Sequence, residues 1–582
     1  MHIAGGIEQQ DKTNSRMEKR WAIATLHDSE KINDLAQVLN IDSTLAGILV
    51  QRGVTSFEEA RHFFRPSMAQ LHDPFLMKGM KTAIQRISRA LEDQENILIY
   101  GDYDVDGTTA VSLVYSFFRL FSDRLSYYIP DRHKEGYGIS TAGIDYAAAQ
   151  GVTLIIALDC GIRSADKVAY AKALGIDFII CDHHLPGHEI PQAVAVLDPK
   201  QNDCSYPFKE LCGCGIGFKL VQAYCTAHQL PADYYMPYLD LVMVSIAADI
   251  VPVVDENRVL AHFGLIKLNE DPSAGLRALM EISGKTGPYT LTDVVFTLAP
   301  RINAAGRMDH GHQAVKMLLC EEDTAPGQSL WINHQNADRK TFDQLITREA
   351  LAMIEESDEL IRRKTTVVYR QDWNKGVIGI VASRLTEKYY RPTIVLTESN
   401  GQYTGSARSV AGYDLYEALL SCSDLLEQFG GHKYAAGLTV HPANLMAFSQ
   451  RFEEVVSATI HPELLIPEIR IDSVLHFDQI NAKFYRILAQ MAPFGPENMN
   501  PVFVSHHVYL ARPAQLAGTN HLKLSVKQQN SPIFDAIAFG QAEMEKRLYP
   551  DIPFSICYTI EENSWKDKRS LQLNIKDIKT EN

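Results

Sequence analysis

The chain reads as an α/β protein: a doubly wound parallel sheet, a long connecting helix, a smaller α/β lobe and a C-terminal β-barrel. Three observations predict this. Apolar runs of strand length alternate with helix-length segments between residues 97 and 198, the pattern of a parallel sheet. Residues 331–363 are rich in helix formers and contain no Pro or Gly, as a single long helix requires. Beyond Pro462 the texture changes to short runs of period two, such as His521-Leu-Lys-Leu-Ser-Val-Lys527 and Ser570-Leu-Gln-Leu-Asn-Ile-Lys576.

A chain of 582 residues is too long for one hydrophobic core, so several domains are expected. Hydrophobic content of 46% and charged content of 22% exclude disorder as the main state. The net charge of −15 argues against indiscriminate polyanion binding, although a local basic groove can still take phosphates. The first residues carry neither a basic n-region nor an apolar h-region, and no apolar run approaches membrane-spanning length; a cytoplasmic protein without a membrane partner is expected. Nine cysteines without a Cys-x-x-Cys pair imply reduced thiols, and Cys204, Cys212 and Cys214 read as a glycine-rich turn rather than a zinc site.

In order along the chain, residues 1–16 are polar and aperiodic, a dispensable disordered extension. Residues 17–90 form a cap of short helices, one started by Thr55-Ser56-Phe57-Glu58-Glu59. The run Ile97-Leu-Ile-Tyr100 is a buried strand, and Gly101-Asp-Tyr-Asp-Val-Asp-Gly107 follows it as a loop at the strand's C-terminal end, where open α/β sheets place ligands. Helices over 108–120, 141–150 and 164–174 then alternate with strands over 125–129, 154–158, 178–180 and 194–197. Those strands end in Asp159-Cys-Gly161, Asp182-His-His184 and Asp198-Pro199. Gly213-Cys-Gly-Ile-Gly217 reads as helix packing, not as a dinucleotide site. An apolar helix over 239–248 delivers Asp249. The second lobe opens with a strand at 366–369, a glycine-led helix from Gly376 and a strand at 393–396.

Asp102, Asp104, Asp106, Asp159, Asp182, His183, His184 and Asp249 thus gather at strand ends and one helix end. Carboxylates so close repel one another, and a multivalent cation is the usual means of keeping them ionised. Oxygen-rich donors with a minority of imidazole suit Mn²⁺ or Mg²⁺ better than zinc. Two such ions sharing a carboxylate clamp the attacking and leaving oxygens of a phosphoryl displacement, so phosphoester hydrolysis is the expected reaction.

Leu98-Ile-Tyr-Gly-Asp-Tyr-Asp-Val-Asp-Gly107, Asp159-Cys-Gly161, Asp182-His-His184 and Ala248-Asp249 resemble, in order, the signature motifs of the DHH phosphoesterase superfamily. Within it the chain is similar to the RecJ single-stranded-DNA-specific exonucleases through Gly136-Tyr-Gly138, Pro300-Arg-Ile-Asn-Ala-Ala-Gly-Arg307, Ser406-Ala-Arg-Ser409 and Gly430-Gly-His432. The resemblance implies a DHH domain at 91–325, a connecting helix at 326–364, a DHH-associated substrate-binding domain at 365–462 and an OB-type barrel at 463–582. It implies two Mn²⁺ or Mg²⁺ ions on Asp104, Asp106, Asp159, His183 and Asp249, with Asp159 bridging, Asp102 a ligand or orienter, and His184 beside the scissile phosphate. Ser406, Arg408, Gly430, Gly431 and His432 match positions that hold the 5′ end of a strand; Arg301, Asn303 and Arg307 are further substrate-binding candidates.

The implied reaction is 5′ to 3′ release of nucleoside monophosphates from single-stranded DNA in repair and recombination. A monomer is expected, with single-strand-binding protein and a RecQ-type helicase as partners, although the chain ends at the barrel, without the extra domain of longer relatives. Of Phe503, Tyr509, Lys523, Lys527 and Phe539, alternating in the barrel, most read as core rather than single-strand contacts. Glu497 stands where the family shows a glycine, which leaves the geometry of its loop open. Competing expectations are a nanoRNA or cyclic-dinucleotide phosphodiesterase, a manganese pyrophosphatase, or a non-catalytic scaffold.

Overall fold

The computed structural model describes residues 17–25, 28–132, 134–565 and 568–580. The extension expected over residues 1–16 lies outside them. The chain forms two compact units. Leu26–Thr341 with Asn481–Asn500 make one; Met1–Thr25, Phe342–Ile480 and Pro501–Asn582 make the other.

In the first unit, five parallel strands lie in the spatial order Leu125–Tyr128, Asn96–Gly101, Val152–Leu158, Asp177–Cys181, Ala195–Leu197. Alternate residues of each strand enter different cores. Ile97, Ile99, Leu154, Ile156 and Ile179 pack on one side, with Val111, Phe218 and Val242 from overlying helices. Leu98, Tyr100, Ile155, Ala157 and Ile180 pack on the other, with Ile144 and Val168. Burial on both faces is why these strands read as unbroken apolar runs. Before the sheet come the helices Ser29–Leu39, Ser43–Gln51, Phe57–Phe64 and Met80–Glu92. Ser56 and Glu59 form the reciprocal capping box that their spacing predicts.

Several boundaries differ from the expectation. The helix after the acids begins at Val105 rather than 108, because the Asp104 side chain accepts from Gly107 N and caps it; Asp106 is already in the first turn. The connecting helix is Ala325–Glu355, starting earlier than expected. Pro326 is tolerated there because first-turn N–H groups lack intrahelical partners in any case. It also stops earlier, since Ser357 caps a separate helix, Asp358–Arg362. The cap is not wholly helical: Arg20–Ile23 is a strand paired in parallel with Glu468–Ile471, within the second unit.

The second unit holds a five-stranded mixed sheet, ordered Gln428–His432, Ala435–Val440, Gln402–Arg408, Thr393–Ser399, Thr366–Tyr369. Its one parallel pair is joined through the helix Ile378–Tyr389, as a parallel connection needs. The barrel is closed by Phe503–Ala517, which pairs with both His521–Lys527 and Phe554–Trp565. Phe503 is fully buried in it, whereas Phe539 is exposed, against the reading of these aromatics as mostly core. All nine cysteines keep their thiols, outside any disulfide.

Candidate metal centre

Asp102, Asp159 and Asp182 stand directly after the C-terminal ends of strands, Asp106 lies in the first turn of the helix Val105–Phe118, and Asp249 ends the helix Leu239–Asp249. Asp102 follows the strand Asn96–Gly101 directly and is fully buried; its Oδ1 accepts a long bond, 3.4 Å, from Gly138 N, and its Oδ2 has no hydrogen-bond partner. Asp159 follows Val152–Leu158 and adopts a left-handed backbone, φ 57°, unusual for a residue other than glycine. Such strain persists only where the surroundings impose it. Here the Asp159 N–H donates to Cys181 O at 2.9 Å, while its carboxylate oxygen Oδ1 is buried without a hydrogen bond.

His183 Nε2 lies 3.2 Å from Asp159 Oδ1, 3.6 Å from Asp106 Oδ2 and 3.6 Å from Asp249 Oδ2. Two sets of donor atoms therefore converge: those of Asp159, His183 and His184, and those of Asp106, His183 and Asp249, each set within 4.8 Å. Burial, followed by the charges of Asp106 and Asp104, raises the carboxyl of Asp159 well above the usual range; the same causes push Asp249 up to about 9. Burial and the neighbouring Asp104 raise Asp102 as well. A cation would remove this penalty and give the orphaned oxygens of Asp102 and Asp159 a partner. The donor chemistry fits Mn²⁺ or Mg²⁺.

Asp104 belongs to neither set, its Oδ1 being engaged in the helix cap. Asp182 is likewise committed. Its Oδ1 accepts from His183 N (2.8 Å), His184 N (3.2 Å) and His184 Nδ1 (2.7 Å), and its Oδ2 from Ile162 N (2.9 Å). It orients His184 rather than offering a lone pair to an ion. Burial alone would lower the His184 imidazole, but the Asp182 hydrogen bond and charge prevail and raise it to about 9.

Other groups at the centre had no assigned role in the sequence reading. Asp106 accepts from Gly213 N (2.6 Å) and Cys214 N (2.7 Å) at the start of the helix Gly213–Ala227, and from the Ser245 hydroxyl (2.6 Å). A Cβ on Gly213 would lie 2.6 Å from that of Asp159, so the glycine permits the approach. The Tyr137 hydroxyl lies 3.1 Å from His184 Nε2.

The substrate-binding candidates divide. On the helix Ala299–Met308, a Cβ on Gly306 would meet the Tyr103 carbonyl at 2.7 Å, so this helix packs against the acid loop, and Asn303 and Arg307, four residues apart, share one side of it. Arg301 is turned elsewhere, donating to Asn333 Oδ1 at 3.1 Å and to the Thr297 carbonyl. In the second unit the strand register aligns Ser406 with Gly437 and Gly430, and Arg408 with Ala435 and His432, so these residues form two adjacent rows on one sheet face. Arg408 Nη1 donates to Ser406 Oγ at 3.1 Å. A Cβ on Gly379, in the first turn of Ile378–Tyr389, would lie 3.0 Å from Ser406 Oγ and 3.1 Å from Arg408 Nη2; Cβ atoms on Gly430 or Gly437 would meet open space. Gly431, with φ 145°, has no such room: a Cβ there would strike Ala435 O at 2.3 Å.

Residues 96–246 match the model of the DHH family, N-terminal domain, residues 363–458 the DHHA1 domain, and residues 471–577 the RecJ OB domain. The single-stranded-DNA-specific exonuclease RecJ of Bacillus subtilis (strain 168) is 37% identical over 563 residues, 96% of this chain and 70% of the relative. The chain belongs to the RecJ family. Another RecJ, that of Salmonella typhimurium, is 34% identical over 86% of this chain and 90% of its own length. The crystal structure of RecJ in complex with Mn²⁺ from Thermus thermophilus has a TM-score of 0.83 at 26% identity, with 97% of this chain and 80% of that chain covered.

Proposed function

We propose that this chain is a divalent-cation-dependent exonuclease that hydrolyses single-stranded DNA from its 5′ end to nucleoside 5′-monophosphates, in DNA repair and recombination. The observation that carries the reading is the pair of converging acid and imidazole sets around His183, with buried carboxylate oxygens that no protein group satisfies. Asp106, Asp159, His183 and Asp249 would hold Mn²⁺ or Mg²⁺ there, with His184 at the edge of one set. Bound cations of this kind neutralise phosphoryl oxygens and activate water in phosphodiester hydrolysis.

The chain's own groups do the rest. Asp182 fixes the His184 ring through Nδ1, and Nε2, which meets the Tyr137 hydroxyl at 3.1 Å, is the nitrogen turned toward the site, where a charged imidazole would stabilise developing negative charge on a phosphate or supply a proton to the leaving oxygen. The Ser406, Arg408 and His432 rows, with glycine backbone beside them, suit a terminal phosphate that Arg408 can grip through two N–H groups. Asn303 and Arg307 are proposed to contact the strand near the acid loop, with Asp104 a further ligand through its second oxygen and Asp102 a ligand or orienter.

We assign domains accordingly: a helical cap from Ser29 to residue 90, the catalytic domain from 91, the connecting helix Ala325–Glu355, the DHH-associated domain at 365–462 and the barrel from 463, less the segment Asn481–Asn500 that joins the first unit. A monomer in the cytoplasm, working with single-strand-binding protein and a RecQ-type helicase, completes the proposal; among the described residues no helix is long and apolar enough to cross a membrane.

The test is digestion of 5′-labelled and 3′-labelled single strands, with a duplex control, in Mn²⁺ and in EDTA. Labelled mononucleotide should leave the 5′ end first, only with metal and only from single strands. Cleavage confined to very short oligomers would move the assignment to a nanoRNase-type enzyme, and binding without cleavage to a scaffold.

A further inference from the structure

The strand Leu125–Tyr128 and the helix Thr141–Ala149 are joined by a loop whose base is pinned by Glu135. Its carboxylate accepts from the Tyr128 hydroxyl at 3.0 Å, from Asp131 N at 2.8 Å and from the Ser140 hydroxyl at 2.5 Å. Past this anchor the chain makes a narrow projection, Gly136-Tyr137-Gly138. Both glycines are left-handed, φ 85° and 83°, and a Cβ at either would meet open space, so the requirement is conformational and not steric.

The residue thus projected is 55% exposed, and its hydroxyl reaches two groups of the centre. It lies 3.3 Å from the carbonyl oxygen of Asp159 and 3.1 Å from His184 Nε2. A phenol has one proton and can accept in return. The hydroxyl donates to the Asp159 carbonyl and its oxygen also stands at hydrogen-bond distance from His184 Nε2, while Nδ1 of the same ring meets Asp182 at 2.7 Å. The hydroxyl therefore ties the carbonyl of the one strained acid of the centre to the imidazole beside it. The following residue adds a third tie, Gly138 N to Asp102 Oδ1. The Tyr137 ring meets Tyr103 edge-on at 6.2 Å and His184 at 5.8 Å. A tyrosine kept for core packing would bury its ring; this one is held out between two glycines with its polar end turned into the site.

We propose that Tyr137 is a positioning residue of the nuclease reaction: its hydroxyl fixes the left-handed carbonyl of Asp159 and the ring plane of His184 in one hydrogen-bonded unit. The inference rests on the roles proposed above for Asp159 and His184. It deepens them by naming what holds the two together from the side opposite Asp182.

Tyr137→Phe removes the hydroxyl and keeps the ring, so the full-length protein should fold with an unchanged melting temperature. In Mn²⁺ with a 5′-phosphorylated single strand, kcat should fall about 10- to 100-fold, the size typical of groups that orient a metal site, with KM unchanged within twofold. Without substrate or metal, the ¹⁵N resonances of the His184 ring, assigned through His184→Gln, should shift in Tyr137→Phe. A kcat within twofold of wild type, a change confined to KM, or unmoved ring resonances would each overturn the proposal. Gly138→Ala, which strains the projection and leaves the phenol in place, should lower kcat in the same direction, and a wild-type kcat there counts against it. If the unaltered protein had no nuclease activity, the functional assignment would fail, and the ring resonances would still report on Tyr137 by themselves.

Discussion

Two sets of buried carboxylates meet the same helix, Gly213–Ala227, and they are treated in opposite ways. Toward the middle of the helix, Lys219 and Glu256 are both fully buried with Nζ and Oε1 3.0 Å apart; Glu256 also accepts from His72 N at 2.9 Å and from the Tyr206 hydroxyl. At its N-terminus, Asp106 is held by two amides and Ser245, yet the neighbouring oxygens of Asp102 and Asp159 are buried with no hydrogen bond. The first acid is satisfied from within the protein. The second group is unfinished, and the burden of leaving buried carboxylates unpaired is what marks it as a place for a cation. Burial of charge alone therefore does not identify a site; convergent acid and imidazole donors with some oxygens left unpaired do.

The contrast breaks most sharply in function. Asp159→Ala should reduce turnover about 10³-fold or more in a single-strand digestion assay, while the metal-free protein loses little thermal stability, because the change relieves the burial of an acid repelled by Asp106 and Asp104. Glu256→Ala should do the reverse. It strands Lys219, lowering stability by about 3–5 kcal/mol in chemical denaturation, and replacing Lys219 by Met as well should recover most of the loss. A third arm carries the contrast from cation to anion: Arg408→Ala should raise KM for a 5′-phosphorylated strand about tenfold, the worth of hydrogen bonds to a charged group, and leave Mn²⁺ affinity measured by calorimetry as it was.

The pH dependence of stability sharpens the comparison further. Asp249 titrates at about 9 in the fold against an ordinary 3.8, so between those values the metal-free folded state binds more protons than the unfolded chain. Its stability should fall as pH rises through that window, and saturating Mn²⁺ should flatten the slope of melting temperature against pH. A slope unchanged by metal would show that the cation binds elsewhere.

The smallest effect tests whether strain by itself marks a site. Asp159 and Glu497 are both left-handed acids, φ 57° and 61°, but Glu497 is exposed in the loop after Pro493. Glu497→Gly should stabilise by about 1 kcal/mol, the cost of that conformation for a residue with a Cβ, and leave nuclease activity as it was. The loop that the sequence left open thus keeps a glycine-like backbone with a glutamate on it.

What could be read in the sequence follows from how local the cause is. The parallel sheet was legible because its strands are buried on both faces, and the acids were legible because they end those strands. The resemblance implied that Asp104 ligates; that its Oδ1 also caps the helix from Val105 became visible only in the backbone. Ser245 and Tyr137 could not be assigned, because Ser245 meets Asp106 across 139 residues and Tyr137 meets His184 across 47. Arg20–Ile23 was taken into a helical cap because four residues carry no period of their own; pairing with Glu468–Ile471 makes them a strand.

The first compact unit includes Asn481–Asn500, a segment from within the RecJ OB match. It is fastened there by Arg258, which donates to the carbonyls of Met491 and Ala492 at 3.0 Å, and by Val253 N, which donates to Pro496 O at 2.8 Å, four residues after Asp249. Synthesis runs from the N-terminus, so the ribosome must pass residue 500 before this unit has all its parts, by which time residues 342–480 have already been made. The metal-bearing unit thus has all its residues before the other, which still needs Pro501–Asn582, yet a nascent chain carrying every candidate ligand up to Asp249 must wait for its last twenty-residue piece.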